Sequence, residues 1–278
     1  MDRLDAFKTI AAQASRGELT FPANVNASLR LQQALNDPDC HVEAAARLIQ
    51  ADPLLAARSV AIANSVAYNR SGTEISSVRA AVQRLGVRTL QSLVAALIVR
   101  QIGSEVTEPA LAAKIQQLWE HTAHVAALSQ VIARRVTHVD PDTALFAGIM
   151  HEVAGFYMLA SAGEFPAAMD GEPEDWVEHG EMEIGRSVMT HLGVPEAVFR
   201  AIESMWMGLR ALPPETLGDT LLLANDLAPV HSPLHQRPGA TTLQGARTID
   251  FVVGEGTLHA IMTESADEVQ SLYAVLML

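Results

Sequence analysis

The sequence is poor in the residue types on which several classes of protein depend. It contains one cysteine, Cys40, so no disulfide can form within the chain, as is usual for proteins of a reducing compartment. It has 19 Lys and Arg against 32 Asp and Glu, a net charge of −13. This charge argues against broad binding to nucleic acids or anionic membranes, because both need a basic surface.

Long apolar runs and a secretion signal are also absent. The longest aliphatic run covers residues 93–99, which is far too short to span a bilayer. The N-terminus carries charges every few residues and lacks the apolar core of a signal peptide. We therefore expect a cytoplasmic protein without nucleic-acid or membrane partners.

Strand-forming patterns are nearly absent as well, since β-branched runs are few. The chain is instead rich in Ala, Leu, Glu, Gln and Arg, which favour helices, and its apolar residues recur at helical spacing. Apolar residues make up 49% of the 278, enough for a sizeable core in one large or two modest domains. The sequence thus predicts an all-α fold.

Gly, Pro, Asn and Asp divide the chain into predicted helices. Residues 103–109 form the best candidate for a boundary between two helical lobes. Residues 229–246, rich in Pro, His, Gly and Thr, are expected to form an exposed loop. The predicted helices cover residues 2–16, 25–35, 41–50, 53–66, 77–85, 87–101, 109–135, 142–160, 176–191, 195–208, 215–228 and 257–277.

Residues 148–156 read GIMHEVAGF and place His151 beside Glu152 within an apolar segment. Adjacent residues on a helix point about 100° apart, so both can reach one metal ion only if it lies over the gap between them. His121, on the preceding predicted helix, is a candidate third ligand. The fourth ligand would normally be a carboxylate on a later helix, where the sequence offers Asn225, a neutral amide and a weak ligand.

The first half of the chain carries a series of short motifs. Asp52 and Pro53 are suited to begin a helix, Gly86 to end one, and the polar pair of Asn64 and Ser65 to cap the following loop. The motifs are FPA at 21–23, LNDP at 35–38, IQADPLL at 49–55, ANS at 63–65, ISSV at 75–78, AAV at 80–82 and LG at 85–86. In order and spacing they resemble the HDOD family, the HD-related output domain of bacterial signalling.

The second half resembles the core of the HD-domain metal-dependent phosphohydrolases. By this resemblance, His121 corresponds to the first metal-binding His, and His151 with Glu152 to the His-Asp signature, with Glu in place of Asp. Asn225 takes the place of the last metal-binding Asp. Three positions that are often His in the family carry other residues: Glu181, Met205 and Trp206.

The resemblance implies a two-lobed, all-α HDOD domain over residues 17–230, with a first lobe of 17–104 and an HD-like second lobe of 109–230. A lead helix over 1–16 would precede it, and a loop with a C-terminal helix over 231–278 would follow it. The apolar C-terminus is expected to pack on the body, with a homodimer contact as the alternative.

The replacement of the last metal-binding Asp by Asn determines which chemistry we expect. An amide at Asn225 removes much of the negative charge that holds a divalent cation, so we expect no bound metal, no cofactor and no catalytic activity. The resemblance then implies a signal-transduction protein that acts through protein–protein interaction with signalling proteins supplied in trans.

Two alternatives stay open. The chain could be a metal-dependent phosphohydrolase of nucleotides or cyclic nucleotides that uses His121, His151 and Glu152. It could also be a sensor that binds a small nucleotide in the vestigial pocket. Solvation or salt bridges are expected for three arginines, with a small anion or nucleotide site as the alternative: Arg84, Arg88 and Arg100.

Overall fold

The computed structural model describes residues 2–19, 21–169, 171–235 and 257–278. Within these ranges there is no strand, and the predicted all-α class is confirmed. The helices are α1 (Arg3–Ser15), α2 (Ala23–Leu35), α3 (Val42–Gln50), α4 (Pro53–Ala63), α5 (Val78–Ile102), α6 (Pro109–Ile132), α7 (Pro141–Met150), α8 (Val153–Ser161), α9 (Pro173–Asp175), α10 (Glu181–His191), α11 (Glu196–Trp206), α12 (Leu217–Leu227), α13 (Thr257–Glu264) and α14 (Ala266–Met277).

Local sequence signals set several helix ends. The Asp52 carboxylate accepts hydrogen bonds from the main-chain N–H groups of Leu54 and Leu55 at 2.9 and 3.0 Å, and Pro53 is the first residue of α4. These contacts satisfy N–H groups that the first helical turn leaves free. Gly86 has φ +74° and ψ 168° and divides α5 into two helical segments, as the sequence predicts.

The core is built around α5, α6 and α7. Helix α5 packs against α2, α3, α4 and α7. Helix α6 packs against α7, α12 and α14, so it joins the later helices to the same core. A continuous cluster of buried apolar side chains extends from α1 to α14. Burial of this surface is the main favourable contribution to folding.

Two stretches, α5 and Pro141–Ser161, are long and apolar enough to cross a membrane by composition alone. Their most apolar windows are 67% and 89% buried within the fold. Packing inside the protein therefore accounts for their composition without a membrane.

The terminal helices pack on the body. The ring of Phe7 in α1 lies edge-on against Trp176, with 5.6 Å between centroids. In α14, the Ser271 hydroxyl accepts a hydrogen bond from the Val66 main chain at 3.2 Å, and Leu272 is buried against α6. The C-terminal helix is thus packed on the body, although Ser265 divides the predicted helix over 257–277 into α13 and α14.

Three sequence predictions of local structure need correction. The predicted helices over 109–135 and 176–191 contain π-helical turns at Ala133–Thr137 and Trp176–Gly180. The prediction of an exposed loop over 229–246 is wrong for the described part of this segment. Three side chains there are buried: Ser232, Leu234 and His235. Residues 236–246 lie outside the described residues.

Candidate functional site

His151 and Glu152 lie at a break between α7 and α8, and not inside one helix as predicted over 142–160. Glu152 has φ −108° and ψ 15°, which departs from helical geometry. His151 Nδ1 donates a hydrogen bond to the Gly148 carbonyl at 2.7 Å, which fixes the ring against the end of α7. Both side chains contribute to one buried cluster with His121.

His121 on α6 faces His151 across the contact between α6 and α7. Their Nε2 atoms are 3.2 Å apart, and His121 Nδ1 lies 2.8 Å from the Val230 carbonyl. Because a carbonyl oxygen can only accept, both Nδ1 atoms carry hydrogen, and in the neutral rings both Nε2 atoms are lone pairs. Two lone pairs at this distance repel each other unless a proton or a metal ion lies between them.

Glu152, Glu181 and His235 form an adjoining buried cluster. His235 Nε2 lies 3.1 Å from Glu152 Oε1 and 3.5 Å from Glu181 Oε1. The distance between His235 Nε2 and Glu152 Oε1 is that of an ion pair, but the two groups lack the alignment of a hydrogen bond. The attraction between them is therefore mainly coulombic. All side chains of the two clusters are at most 5% exposed.

Burial and charge oppose each other in the pKa values of this pair. Burial alone would raise the pKa of Glu152, but the positive charge of His235 holds it well below its usual range. Burial would likewise lower the pKa of His235, yet Glu152 and Glu181 raise it to about 9. At neutral pH, His235 is therefore an imidazolium paired with ionised Glu152.

The combined cluster holds the carboxylates of Glu152 and Glu181 and the positive charge of His235. Burial lowers the pKa of His121, which disfavours a proton on the pair of His121 and His151. Imidazole nitrogen and carboxylate oxygen are suitable ligands for divalent transition metals. The donor set therefore fits a metal, which would act as a Lewis acid and would be held by His121, His151 and Glu152.

Residues 230–235 cover the combined cluster. The Val230 carbonyl accepts from His121, and the His231 carbonyl accepts from Gln117 Nε2 at 3.0 Å. Leu234 lies so close to Gly155 that a Cβ on the glycine would come within 2.4 Å of Leu234 Cδ1. This segment thus closes the cluster on the side formed by α6 and α8.

The remaining predicted ligand positions have different roles. Asn225 is buried in α12, and the neighbouring Asp226 forms an ion pair with Arg210. Met205 and Trp206 are core residues of α11. Glu181, which replaces a His of the family pattern, keeps a carboxylate at the cluster.

His235 is the site residue that the sequence predictions missed. It lies in a segment rich in Pro and His without helical periodicity, which predicts only an exposed loop. The available signal was the repeat of His231 and His235 four residues apart. Residue type alone did not show which of the two would be buried, and the structure buries His235 and exposes His231.

Asn64 and Arg84 tie down the loop that follows α4. The Asn64 amide exchanges two hydrogen bonds with the Ile75 main chain, at 2.7 and 2.9 Å. Arg84 donates to the Thr73 carbonyl at 2.9 Å. Ser65 is buried, but its hydroxyl has no hydrogen-bond partner among the described residues, so of the predicted pair only the Asn64 side chain caps the loop.

The family model of the HDOD domain matches residues 21–204, which is well over half of the chain. The chain belongs to the HDOD domain family. The match ends before His235, so the residue that closes the cluster lies beyond the part described by the family model. No curated protein matches this HDOD chain.

Solved structures share the fold of the whole chain. A candidate metal-dependent phosphohydrolase from Shewanella amazonensis SB2B is 19% identical, with a TM-score of 0.73 and 97% of each chain covered. An HDOD domain protein of unknown function from Geobacter sulfurreducens is 21% identical, with a TM-score of 0.62 and coverage of 99% of this chain and 97% of that one. A candidate signal transduction protein from Marinobacter aquaeolei VT8 is 16% identical, with a TM-score of 0.63 and coverage of 100% and 67%. At these identities the similarity establishes the fold.

Proposed function

We propose that this HDOD protein is a non-catalytic signal-transduction protein that acts by binding a protein partner. The observation that carries the proposal is the position of His235, which pairs with Glu152 and Glu181. The imidazolium of His235 thereby places a positive charge beside Glu152, a carboxylate that a metal enzyme would use to hold its ion. Residues 230–235 also lie over the cluster and shield His121 and His151 on that side.

A loop after α11 supports the protein-binding part of the proposal. The Arg210 guanidinium pairs with Asp226 at 2.7 Å, and the Ala211 N–H donates to Asp219 Oδ1 at 2.7 Å, so the loop is held in place. Three large apolar side chains on it are more than half exposed: Met207, Leu209 and Leu212. A fixed loop that exposes apolar side chains is typical of a protein-interaction surface. The Marinobacter relative, named as a candidate signal transduction protein, agrees with this role.

The second candidate function is metal-dependent phosphoester hydrolysis. It is favoured by the facing Nε2 atoms of His121 and His151, since each ring has its Nδ1 hydrogen-bonded to a carbonyl and directs its Nε2 toward the other ring, as in imidazoles that bind a metal through Nε2. The name of the Shewanella relative points the same way.

Elemental analysis and activity assays separate the two functions. The chain is purified without chelators, its Fe, Mn, Zn and Mg contents are measured, and phosphodiesters and phosphomonoesters are tested with each metal added back. Under the proposal we expect metal well below one ion per chain and no turnover. Stoichiometric metal, together with turnover that His151→Ala abolishes and His259→Ala on the exposed face of α13 preserves, would establish the second function instead.

Partner binding is tested with variants of the exposed loop. The wild-type chain, a Leu209→Asp/Leu212→Asp double variant and a Leu4→Asp control on α1 are each used to capture proteins from the cytosol of the native host. We expect one protein to be retained in near-stoichiometric amount by the wild type and the control but not by the double variant. Equal retention by all three chains, or no specific partner, would contradict the proposal.

A further inference from the structure

A cavity of about 450 Å³ lies where α4, the end of α5, α6 and α8 meet. Its wall carries two arginines, Arg58 from α4 and Arg100 from α5, and its described lining contains no acidic side chain. This charge is opposite to that of the whole chain, which has 32 acidic and 19 basic residues. The cavity is distinct from the His and Glu cluster, since none of the cluster residues lines it.

Arg58 is a buried cation without a bonded partner. It is 4% exposed, its Nε has no hydrogen bond, and the described residues provide no ion pair for its guanidinium. Burial and the positive charge of Arg100 lower its pKa, and the carboxylate of Asp52 offsets this only in part. An unpaired buried charge is costly to fold, so its retention at a cavity wall points to a ligand that pairs with it.

Arg100 lies on the same wall with little of its hydrogen-bonding capacity used. Its guanidinium carbon is 5.5 Å from the centroid of the Trp119 ring, and Nη1 donates to the Met277 carbonyl at 3.3 Å. No carboxylate among the described residues forms an ion pair with it. In contrast, the neighbouring Arg88 on α5 pairs with Asp140 at 3.1 Å. The sequence leaves open a small anion site at the arginines of α5, and this alternative now applies to Arg100.

Aromatic and aliphatic side chains complete the lining of the cavity. Trp119 is among the lining residues, and its buried Nε1–H has no hydrogen-bond partner among the described residues. Phe156 packs edge-on against the Trp119 ring, and Leu97 and Ile115 add aliphatic surface. The lining thus combines two guanidinium groups with apolar contact surface.

We propose that this cavity binds a small organic phosphate, with the phosphate group paired to Arg58 and Arg100 and the organic part against Ile115 and Phe156. Guanidinium groups bind phosphate oxygens through paired, charge-assisted hydrogen bonds, and two of them match a phosphate dianion. The volume lies within the range of roughly 300–1,000 Å³ that is usual for small-molecule sites. Because Trp119 and His121 are close together on α6, the ligand would contact the helix that also carries His121 of the cluster.

Titration calorimetry on the whole chain tests the proposal. The probes are AMP, GMP, ribose 5-phosphate and inorganic phosphate, with adenosine as the phosphate-free control. We expect saturable binding of at least one organic phosphate and none of adenosine. Arg58→Gln and Arg100→Gln should each weaken that binding by about ten-fold or more, because each removes a charge-assisted contact. Arg88→Gln, on the same helix but outside the cavity, should leave it unchanged.

Thermal unfolding provides a second readout that separates binding from folding. At the same ligand concentration, the phosphate compound should raise the unfolding midpoint of the wild type by more than that of Arg58→Gln. Without ligand, Arg58→Gln should be at least as stable as the wild type, because it removes a buried unpaired charge. Absence of saturable binding, equal affinity of the arginine variants and the wild type, or binding of inorganic phosphate as tight as that of the organic phosphates would each overturn the proposal.

Discussion

Glu152 and His235 form a buried ion pair, with 3.1 Å between the carboxylate Oε1 and the imidazole Nε2. The pair connects the break between α7 and α8 to the segment that follows α12. Because the contact joins distant parts of the chain, the cluster is neutralised only when residues 230–235 are in place. The stability of the fold and the charge state of the cluster are therefore coupled through His235.

Replacing His235 by Gln should strongly destabilise the protein. The variant keeps a side chain of similar size but leaves Glu152 and Glu181 buried without their cation. Removal of one partner of a buried ion pair costs about 3–5 kcal/mol in the free energy of unfolding. Urea denaturation near neutral pH measures this loss, with His259→Gln on the exposed face of α13 as the control. A loss below about 1 kcal/mol would show that the pair does not stabilise the fold.

The stabilisation by His235 should depend on pH in a defined direction. Its pKa is raised from 6.5 to about 9 in the folded chain, so its contribution is complete below 6.5 and is lost as the pH rises through about 9. The depressed pKa of Glu152 has the opposite sign, and its contribution is lost as the pH falls below 4.5. We expect the difference in unfolding free energy between wild type and His235→Gln to be largest between these limits.

A series of urea titrations from about pH 5.5 to about pH 9.5 checks this dependence. The difference between wild type and His235→Gln should stay constant up to about pH 6.5 and should then decrease steadily. A difference that is the same at both ends of the series would mean that His235 does not titrate with the raised pKa.

Gly148 allows the close contact between α6 and α7 on which the His pair depends. A Cβ at this position would lie 2.6 Å from Ala126 Cα and 3.0 Å from Ala126 N, both of which are backbone atoms that cannot move aside alone. Gly148→Ala should therefore separate the two helices and cost about 1–3 kcal/mol. Thermal unfolding measures the cost, with Gly163→Ala as the control, because a Cβ there meets no atom within 4 Å. Equal midpoints for the two variants would refute the steric argument.

The structural features that depend on local signals could be predicted from the sequence. Asp52, Pro53 and Gly86 specify backbone geometry within a few residues of themselves, so their roles could be predicted. The motif residues His121 and His151 could be located because the resemblance fixes their positions. The contacts of His235 could not be predicted, because they depend on how residues 230–235 fold back over α6 and α8.

The break in the helix at His151 and Glu152 likewise could not be predicted from the sequence. The segment Pro141–Ser161 is apolar and has helical spacing throughout, so the sequence predicts one uninterrupted helix. The break is accompanied by the bond between His151 Nδ1 and the Gly148 carbonyl and by burial of both polar side chains among α6, α10 and residues 230–235. These tertiary contacts outweigh the helical preference of the segment, and a local pattern does not reveal them.

Asn64 should contribute to stability through its side chain, whereas Ser65 should not. Asn64→Ala removes two hydrogen bonds to the Ile75 main chain and leaves an N–H and a carbonyl of the loop without that partner. We expect a loss of about 1–3 kcal/mol in the free energy of unfolding, measured by urea denaturation. Ser65→Ala is the matched control, because the Ser65 hydroxyl is buried without a hydrogen-bond partner among the described residues and its removal leaves no group unsatisfied. If Ser65→Ala costs as much as Asn64→Ala, the loop is held by a contact other than the Asn64 amide.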